Sequence, residues 1–263
     1  MSLDAARSIE LCLVHSVDEV QEGIYVLRFQ SKRLASSIQA GQFINIKPDD
    51  IYLPLLRRPF SVYRVADDML EIIFNVVGRG TKILAGKKRG DRIDVLGPLG
   101  VPYRLDGDFQ TAVLVAGGLG VAPMPILSAA LGTRSKKVMT FLGGRSKSQV
   151  VSNHLDGVSV STDDGSLGFK GTVVDLLESK LSKIASPKIF ACGPNVMLRS
   201  LSALARKADI ACEASLESAM ACGFGICQGC PVENVSDGSH PNARRYSLIC
   251  KEGPVFDSRL VVI

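Results

Sequence analysis

The chain has 263 residues, of which 46% are hydrophobic and 22% charged, and its formal net charge is +5. This length suits two ordinary domains with a small appendage, while the mild charge, the absence of Trp and the lack of aromatic–basic interleaving argue against a nucleic-acid-binding protein. There is no apolar run of roughly 18 residues to span a membrane, and the segment MSLDAARSIE lacks the apolar core of a secretory signal, so a cytoplasmic protein is expected.

Six short β-rich segments occupy the first hundred residues. Gly, Pro and Asp lie between them, as is typical of turns that join strands. Six strands at this spacing predict a small antiparallel barrel, with one short helix beginning at Thr81. The six segments are SIELCLVHSV, GIYVLRFQ, GQFINIKP, RPFSVYRV, LEIIFNVV and DRIDVLGP.

Two motifs within this region are candidates for binding a phosphorylated cofactor. In RRPFS, Arg58 could pair with a diphosphate through its planar fork, and Ser61 could offer a hydroxyl and a backbone N–H to a ring nitrogen. In VGRGT, Gly80 and Thr81 open a helix whose free N–H groups suit a phosphate. Each motif alone is a weak signal, and RRPFS could simply be the start of a strand. The two motifs in this order, ahead of a parallel sheet, are a more specific signal.

After Asp108 the pattern changes to alternating strands and helices. TAVLVAGG, KKVMTFLGG, VSVSTDDG and PKIFACGP are predicted strands, and VAPMPILSAALG, GTVVDLLESKLSKI and NVMLRSLSALARKA are predicted helices. This alternation predicts a doubly wound parallel sheet. The Gly-rich turn VAGGLGVAPM joins a strand to a helix, which would let a dinucleotide diphosphate approach the backbone.

Four of the seven cysteines lie near the end of the chain, in the spacing C-x4-C-x2-C followed by nineteen residues and a fourth Cys: Cys222, Cys227, Cys230 and Cys250. A cysteine cluster in a reducing compartment is more often metal-binding than disulfide-bonded. The spacing is that of a plant-type [2Fe–2S] centre. A zinc site, which usually shows two C-x2-C pairs, and a metal-free segment stay open as alternatives. Cys12 and Cys212 are predicted to be buried small residues.

The order of these motifs resembles the ferredoxin–NADP reductase superfamily, in which a flavin-binding barrel precedes a pyridine-nucleotide domain. The resemblance implies that Arg58 holds the FAD diphosphate and that Ser61, the candidate catalytic residue, addresses flavin N5. Phe60 stands where the superfamily more often has Tyr. Other FAD-binding residues that the resemblance implies are Pro59, Phe60, Ile73, Phe74, Asn75, Gly80 and Thr81.

On the nucleotide side, the resemblance covers the G-G-x-G-x-A-P turn and the C-G-P motif, and it implies an NAD(P)H crevice formed by Gly117, Gly118, Gly120, Cys192, Gly193 and Pro194. Cys192 would lie near the hydride path, or would only be small enough to leave room for a ring. Arg145 and Lys147 could accept a 2′-phosphate, and no acidic residue follows them directly. The family resemblance favours NADH over NADPH.

The segments SLESAMACGFGICQGCPVE and YSLICKEGPVF resemble the electron-transfer subunits of class 1B, NAD-dependent dihydroorotate dehydrogenases. The resemblance implies a heterotetramer with an FMN-containing catalytic subunit, and electron transfer between that subunit and NAD+ through a [2Fe–2S] cluster and FAD in pyrimidine biosynthesis. The gap before Cys250 looks long for the family, so VSDGSHPNARRY, which contains His240, is predicted to be an extended loop.

Two other functions stay open at this point. The first is an FAD/[2Fe–2S] subunit of another complex, such as a transhydrogenase, sulfhydrogenase or glutamate-synthase-like enzyme, which would share every motif. The second is a non-enzymatic flavin sensor stapled by zinc. The expected architecture comprises a six-stranded FAD-binding barrel (1–106), a doubly wound NAD-binding domain (107–217) and a [2Fe–2S] cluster domain (218–263).

Overall fold

The computed structural model describes residues 7–49, 53–236 and 244–263. The loop predicted around His240 therefore lies largely outside the described residues. Among the described helices, none has the length and apolar character that crossing a bilayer requires.

The first hundred residues form one antiparallel sheet of seven strands with two short helices. The elements are β1 (Ser8–Gln21), β2 (Ile24–Gln30), α1 (Lys32–Ser37), β3 (Phe43–Lys47), β4 (Arg58–Ser61), β5 (Arg64–Ala66), β6 (Met69–Asn75), α2 (Arg79–Ala85) and β7 (Arg92–Leu99). The strand order is β4-β3-β7-β1-β2-β6-β5. Because β4 and β5 lie at opposite ends of this order but follow each other in the chain, the sheet curls round on itself as a barrel does.

The antiparallel barrel class is confirmed, with seven strands where six were predicted. The difference lies in RPFSVYRV, which forms both β4 and β5. Between them Val62 and Tyr63 are each 1% exposed, so the chain turns inward there and interrupts the strand. Burial of these apolar side chains stabilises the fold at the point where the strand is interrupted.

The second sheet is parallel and doubly wound, as predicted. Its elements are β8 (Thr111–Gly117), a 3-10 helix (Gly118–Val121), α3 (Met124–Gly132), β9 (Lys137–Gly144), a 3-10 helix (Lys147–Gln149), β10 (Val158–Thr162), β11 (Phe169–Lys170), α4 (Val173–Leu181), β12 (Pro187–Cys192), α5 (Asn195–Lys207) and β13 (Cys212–Ser215). The parallel strands run in the order β11-β10-β9-β8-β12-β13. The order reverses between β8 and β12, and ligands bind at the carboxyl ends of strands at such a switch point.

The last segment packs against both sheets. It contains β14 (Pro231–Glu233), β15 (Tyr246–Leu248) and β16 (Val255–Asp257). Strands β14 and β15 form a small hairpin, whereas β16 pairs antiparallel with β13 and so extends the parallel sheet. One buried cluster joins Phe43 and Leu99 of the barrel to Cys230, Ile249 and Cys250 of this segment. The three parts of the chain therefore share a core at this junction.

Candidate functional site

The four clustered cysteines lie together in two pairs. The backbone N–H of Cys227 donates to Sγ of Cys222 at 3.5 Å, and the backbone N–H of Cys250 donates to Sγ of Cys230 at 3.4 Å. The first pair lies at the surface, where Cys227 is exposed, and the second pair is buried at 2% exposure each. Within the described ranges, no three His, Cys, Asp or Glu side chains converge closely enough for a single metal ion. Two thiol pairs suit a two-iron cluster held by four cysteines.

The loop around Cys222 stabilises a thiolate. Partial burial acts to raise the pKa of Cys222, but the backbone N–H groups of Cys227, Phe224 and Ile226 and the Cys227 side chain outweigh it and lower the pKa to about 6. Gly223 and Gly225 have φ of +80° and +96°, and this left-handed backbone lets the loop turn its N–H groups towards sulfur. The thiolate is the form that binds iron, so the donor set and the loop fit the cluster.

Asn45 of β3 ties the barrel to this loop. Its Nδ2 donates to the carbonyl oxygen of Cys222 at 3.1 Å, and a Cβ on Gly223 would overlap with the same amide nitrogen. Asn45 is 0% exposed, and its Oδ1 has no hydrogen-bond partner among the described residues. A buried amide of this kind is expensive to leave unpaired, so its contact with Cys222 fixes where the cysteine loop lies on the barrel.

The two predicted flavin motifs meet in space. Arg58 begins β4 and Gly80 lies in the first turn of α2, and a Cβ on Gly80 would lie 3.2 Å from Nε of Arg58. Nη1 of Arg58 donates to the carbonyl oxygen of Leu56 at 2.7 Å. The absence of a side chain at Gly80 thus leaves a cradle beside a guanidinium, which suits an anionic diphosphate.

Several other predicted flavin residues have structural partners of their own. Thr81 Oγ1 accepts from the backbone N–H of Val77 and Gly78 at 3.0 and 3.2 Å, so its hydroxyl already closes the turn before α2. The rings of Phe60 and Phe74 are 5.7 Å apart, and Phe74 is buried in the barrel core. Ile73, on the opposite face of β6, packs in the core between the two sheets. Pro59 and Ser61 are half-buried on β4.

A crevice of about 1140 Å³ lies between the barrel and the carboxyl ends of the parallel strands. Of the residues predicted for FAD or the nucleotide, Asn75, Gly117, Gly118 and Pro194 line it. It opens at the switch point between β8 and β12, where a dinucleotide would be expected to bind. The crevice is large enough to hold a nucleotide that contacts both the parallel sheet and the barrel.

Gly120, Cys192 and Gly193 lie behind the crevice wall. A Cβ on Gly120 would overlap with the backbone carbonyl of Cys192, and one on Gly193 would lie 2.7 Å from Cε of Met197. Burial raises the pKa of the Cys192 thiol far above its usual value, so this thiol stays neutral. These contacts indicate that Cys192 is a small buried residue at the end of β12. They do not favour a reactive role for its thiol.

The two basic residues considered for a 2′-phosphate are placed differently. Arg145 lines the crevice, and so does Asp163, which follows β10. Lys147 lies in the neighbouring loop, where its backbone N–H donates a hydrogen bond to Ser166 Oγ at 2.8 Å. No acidic residue follows Arg145 directly in the sequence, but the parallel alignment of β9 with β10 brings Asp163 to the same edge. A carboxylate there favours a free ribose hydroxyl over a phosphate.

Glu217 is a crevice residue that sequence reasoning missed. It follows β13 by two residues and lines the crevice, and partial burial raises the pKa of its carboxyl. The signal that could have found it is its position just after a parallel strand, at the edge where ligands bind. Glu217 is thus a group inside the crevice that keeps its proton to a higher pH than an ordinary glutamate.

Comparison with known protein families gives one match within the chain. Residues 217–262 match the model of the iron-sulfur cluster binding domain of dihydroorotate dehydrogenase B. All four clustered cysteines fall inside this range.

Similar proteins extend the likeness to nearly the full chain. The dihydroorotate dehydrogenase B (NAD(+)) electron transfer subunit of Desulforamulus reducens is 36% identical over 259 residues, 95% of this chain and 96% of that protein. The subunit of the same name from Bacillus mycoides is 37% identical over 261 residues, covering 95% and 97%. Among solved structures, an NADH-dependent reduced ferredoxin-NADP oxidoreductase superposes with a TM-score of 0.84 at 26% identity, covering 96% of this chain and 90% of the other.

Proposed function

The chain belongs to the family of electron transfer subunits of dihydroorotate dehydrogenase B (NAD(+)), and we infer from this membership how its sites work together. It passes electrons between a catalytic subunit that oxidises dihydroorotate and NAD+, by way of a [2Fe–2S] cluster and FAD. This reaction belongs to pyrimidine biosynthesis. The chain is an oxidoreductase subunit that acts on the natural substrate with its partner.

The observation that carries this function is the position of the cysteine loop between barrel and surface. Asn45 holds Cys222 against β3, the strand that pairs with the RPFS strand β4. On the other side, exposed Cys227 faces outward. FAD, when bound, exchanges a hydride with the nicotinamide and single electrons with the cluster, which is why one chain contains all three sites.

The geometry supports a role for several of the predicted site residues. Arg58 and Gly80 would hold the FAD diphosphate, and Ser61 at the end of β4 would orient the ring. Gly120 lets the turn after β8 sit against β12, which places Gly117 and Pro194 at the crevice wall. Glu217 lines the same crevice, and burial raises the pKa of its carboxyl. The cluster ligands would be Cys222, Cys227, Cys230 and Cys250.

The domain limits 1–106, 107–217 and 218–263 are part of the same proposal, supported by the two sheets and the cysteine segment. So is the heterotetramer with the FMN-containing catalytic subunit. We also propose a cytoplasmic location, because a cysteine cluster that holds metal instead of forming disulfides is typical of a reducing compartment. The transhydrogenase-like alternatives fit less well, since the named relatives at 36% and 37% identity are dihydroorotate dehydrogenase subunits.

Co-expression with an FMN-containing dihydroorotate-oxidising chain tests the function. The purified complex should contain FAD, iron and acid-labile sulfide, and should reduce NAD+ when dihydroorotate is added. A zinc-stapled sensor would lack the visible absorption of iron and sulfide that dithionite bleaches. A colourless chain, or a complex that oxidises dihydroorotate without reducing NAD+, would contradict the function.

Arg58→Gln should weaken FAD binding by about 10- to 100-fold, because it removes a charge-assisted contact and leaves a polar group of similar size. Titration of FAD into deflavinated protein, followed by flavin fluorescence, measures the affinity. Arg89→Gln, an exposed arginine in the loop before β7, is the matched control and should bind FAD normally. If the Arg58→Gln variant bound FAD as tightly as the wild type, Arg58 would not be part of the flavin site.

A further inference from the structure

A row of large aliphatic side chains covers the outside of β1. Ile9, Leu11 and Leu13 are 63%, 57% and 47% exposed, whereas Cys12 and Val14 between and after them are 1% and 2% exposed. Successive side chains of a strand point to opposite faces, so the three aliphatic residues share the outer face of the barrel. We call them the β1 stripe.

The strand register places the β1 stripe beside the cysteine loop. Ile9 pairs with Leu96 of β7, and Leu96 pairs with Asn45 of β3. Paired residues on neighbouring strands share a face. Asn45 is the residue that binds Cys222. The stripe thus lies on the same face as the cysteine loop, two strand spacings or about 10 Å away.

A leucine-rich loop extends this apolar surface. Leu53, Leu55 and Leu56, which precede β4, are 54%, 66% and 48% exposed. The next residue, Arg57, anchors the loop by pairing with Asp94 at 2.7 Å, and Asp94 is the register partner of Leu11. Ile226, next to Cys227, is 76% exposed. Several exposed apolar side chains gathered on one side of the molecule mark an interaction site, unlike single exposed residues.

We propose that the catalytic subunit docks on this face, with the β1 stripe, the leucine loop and Ile226 at the centre of the interface. This rests on the proposed function, because electrons must pass between the partner and the cluster that Cys227 would help to hold. A stable interface buries about 800 Å² on each partner, more than a single cysteine loop can provide, and the adjoining apolar surface supplies the remainder. The charges of Arg57 and Asp94, next to the stripe, are paired with each other, so docking would leave neither of them without a partner.

Leu11→Glu tests the docking surface. We expect its complex with the catalytic subunit to dissociate at least about 30-fold more readily, since truncating or charging a central interface residue has effects of this size. Analytical ultracentrifugation of the mixed chains measures the affinity. FAD content, iron content and NADH oxidation by an artificial acceptor should match the wild type, because Leu11 faces solvent.

Two further variants complete the test. Leu55→Glu, 66% exposed in the loop, should weaken the complex without involving the barrel strands. Phe169→Glu, 41% exposed on β11, is the matched control, since β11 lies at the far edge of the second sheet; it should bind the partner normally.

Three results would overturn the proposal. Wild-type affinity in both Leu11→Glu and Leu55→Glu would remove this face from the interface while leaving the function intact. A loss of self-association in these variants, with the partner affinity unchanged, would assign the face to a second copy of this chain. A wild-type chain that fails to bind the catalytic subunit at all would refute the proposed function together with the surface.

Discussion

Replacing Cys227 with serine should remove the iron from the chain and stop electron transfer to the catalytic subunit, while FAD and its reduction by NADH remain. Cys227 is exposed, and its backbone N–H lies 3.5 Å from Sγ of Cys222. Its replacement therefore removes a ligand without opening the core. We expect dihydroorotate-dependent NAD+ reduction to fall by more than about 100-fold, since even groups that only support a metal ligand matter by 10- to 100-fold.

The measurement combines iron and sulfide analysis with two activities, NADH oxidation by an artificial acceptor and NAD+ reduction by dihydroorotate in the reconstituted complex. Only the second should be lost. Cys12→Ser is the control for the loss of a thiol outside the cysteine cluster, because Cys12 lies in the barrel core; its iron content per FAD should match that of the wild type. If the Cys227→Ser complex reduced NAD+ at the wild-type rate, the cluster would lie off the electron path.

Substitution of the buried cysteines, Cys230 and Cys250, would test the role of the cluster less specifically. Cys230 and Cys250 are each 2% exposed and belong to the core that joins the barrel to the cysteine segment. A serine at either position buries a hydroxyl as well as removing a ligand. Loss of activity there would combine loss of iron with loss of stability, which is why Cys227 is preferred.

Gly120→Ala should disable the nucleotide crevice. A Cβ at this position would overlap with the backbone carbonyl of Cys192 and would lie 2.7 Å from Cα of Gly193. Both neighbours are backbone atoms at the end of β12, so they cannot rotate away as a side chain could. The added methyl group would therefore push the turn after β8 away from β12. Overpacking usually costs about 1–3 kcal/mol, and a clash with backbone belongs at the upper end.

We expect NADH affinity to fall by about 100-fold, the equivalent of roughly 3 kcal/mol, and the thermal midpoint to drop. Isothermal titration with NADH and calorimetry measure the two effects, and FAD content should be retained because the barrel is untouched. Gly132→Ala is the control: nothing lies within 4 Å of its Cβ position at the end of α3, and alanine there should be neutral or slightly stabilising. Unchanged NADH affinity in Gly120→Ala would show that this turn does not shape the crevice.

The fold was largely predictable because its signals are local. Alternating polar and apolar residues, Gly and Pro between segments, and the apolar run TAVLVAGG identify strands and their sheets without tertiary information. The cysteine spacing likewise predicts a cluster, and the match of residues 217–262 to an iron-sulfur domain agrees with it. The inward turn at Val62 and Tyr63 was not predictable, because only the packed core shows that these two residues leave the strand.

The residues that the sequence did not reveal are those whose role depends on register. Asp163 reaches the crevice because β10 lies beside β9, and Asn45 touches Cys222 across 177 positions of sequence. Glu217 lines the crevice because β13 ends two residues before it, at the edge of the sheet. No local pattern distinguishes these polar side chains from their neighbours, so sequence alone could not select them.

Strand β16 has a consequence for how this protein can be rebuilt. It comes from the cysteine segment, yet it completes the nucleotide sheet by pairing with β13, and its neighbour Pro254 bridges to Val101 beyond the barrel. A graft of the cysteine segment onto another reductase would need an acceptor sheet with a free edge in this position. Conversely, a shortened chain without it would expose the unpaired edge of β13, a template for aggregation. The cysteine segment therefore cannot be transferred to another protein as an independent domain.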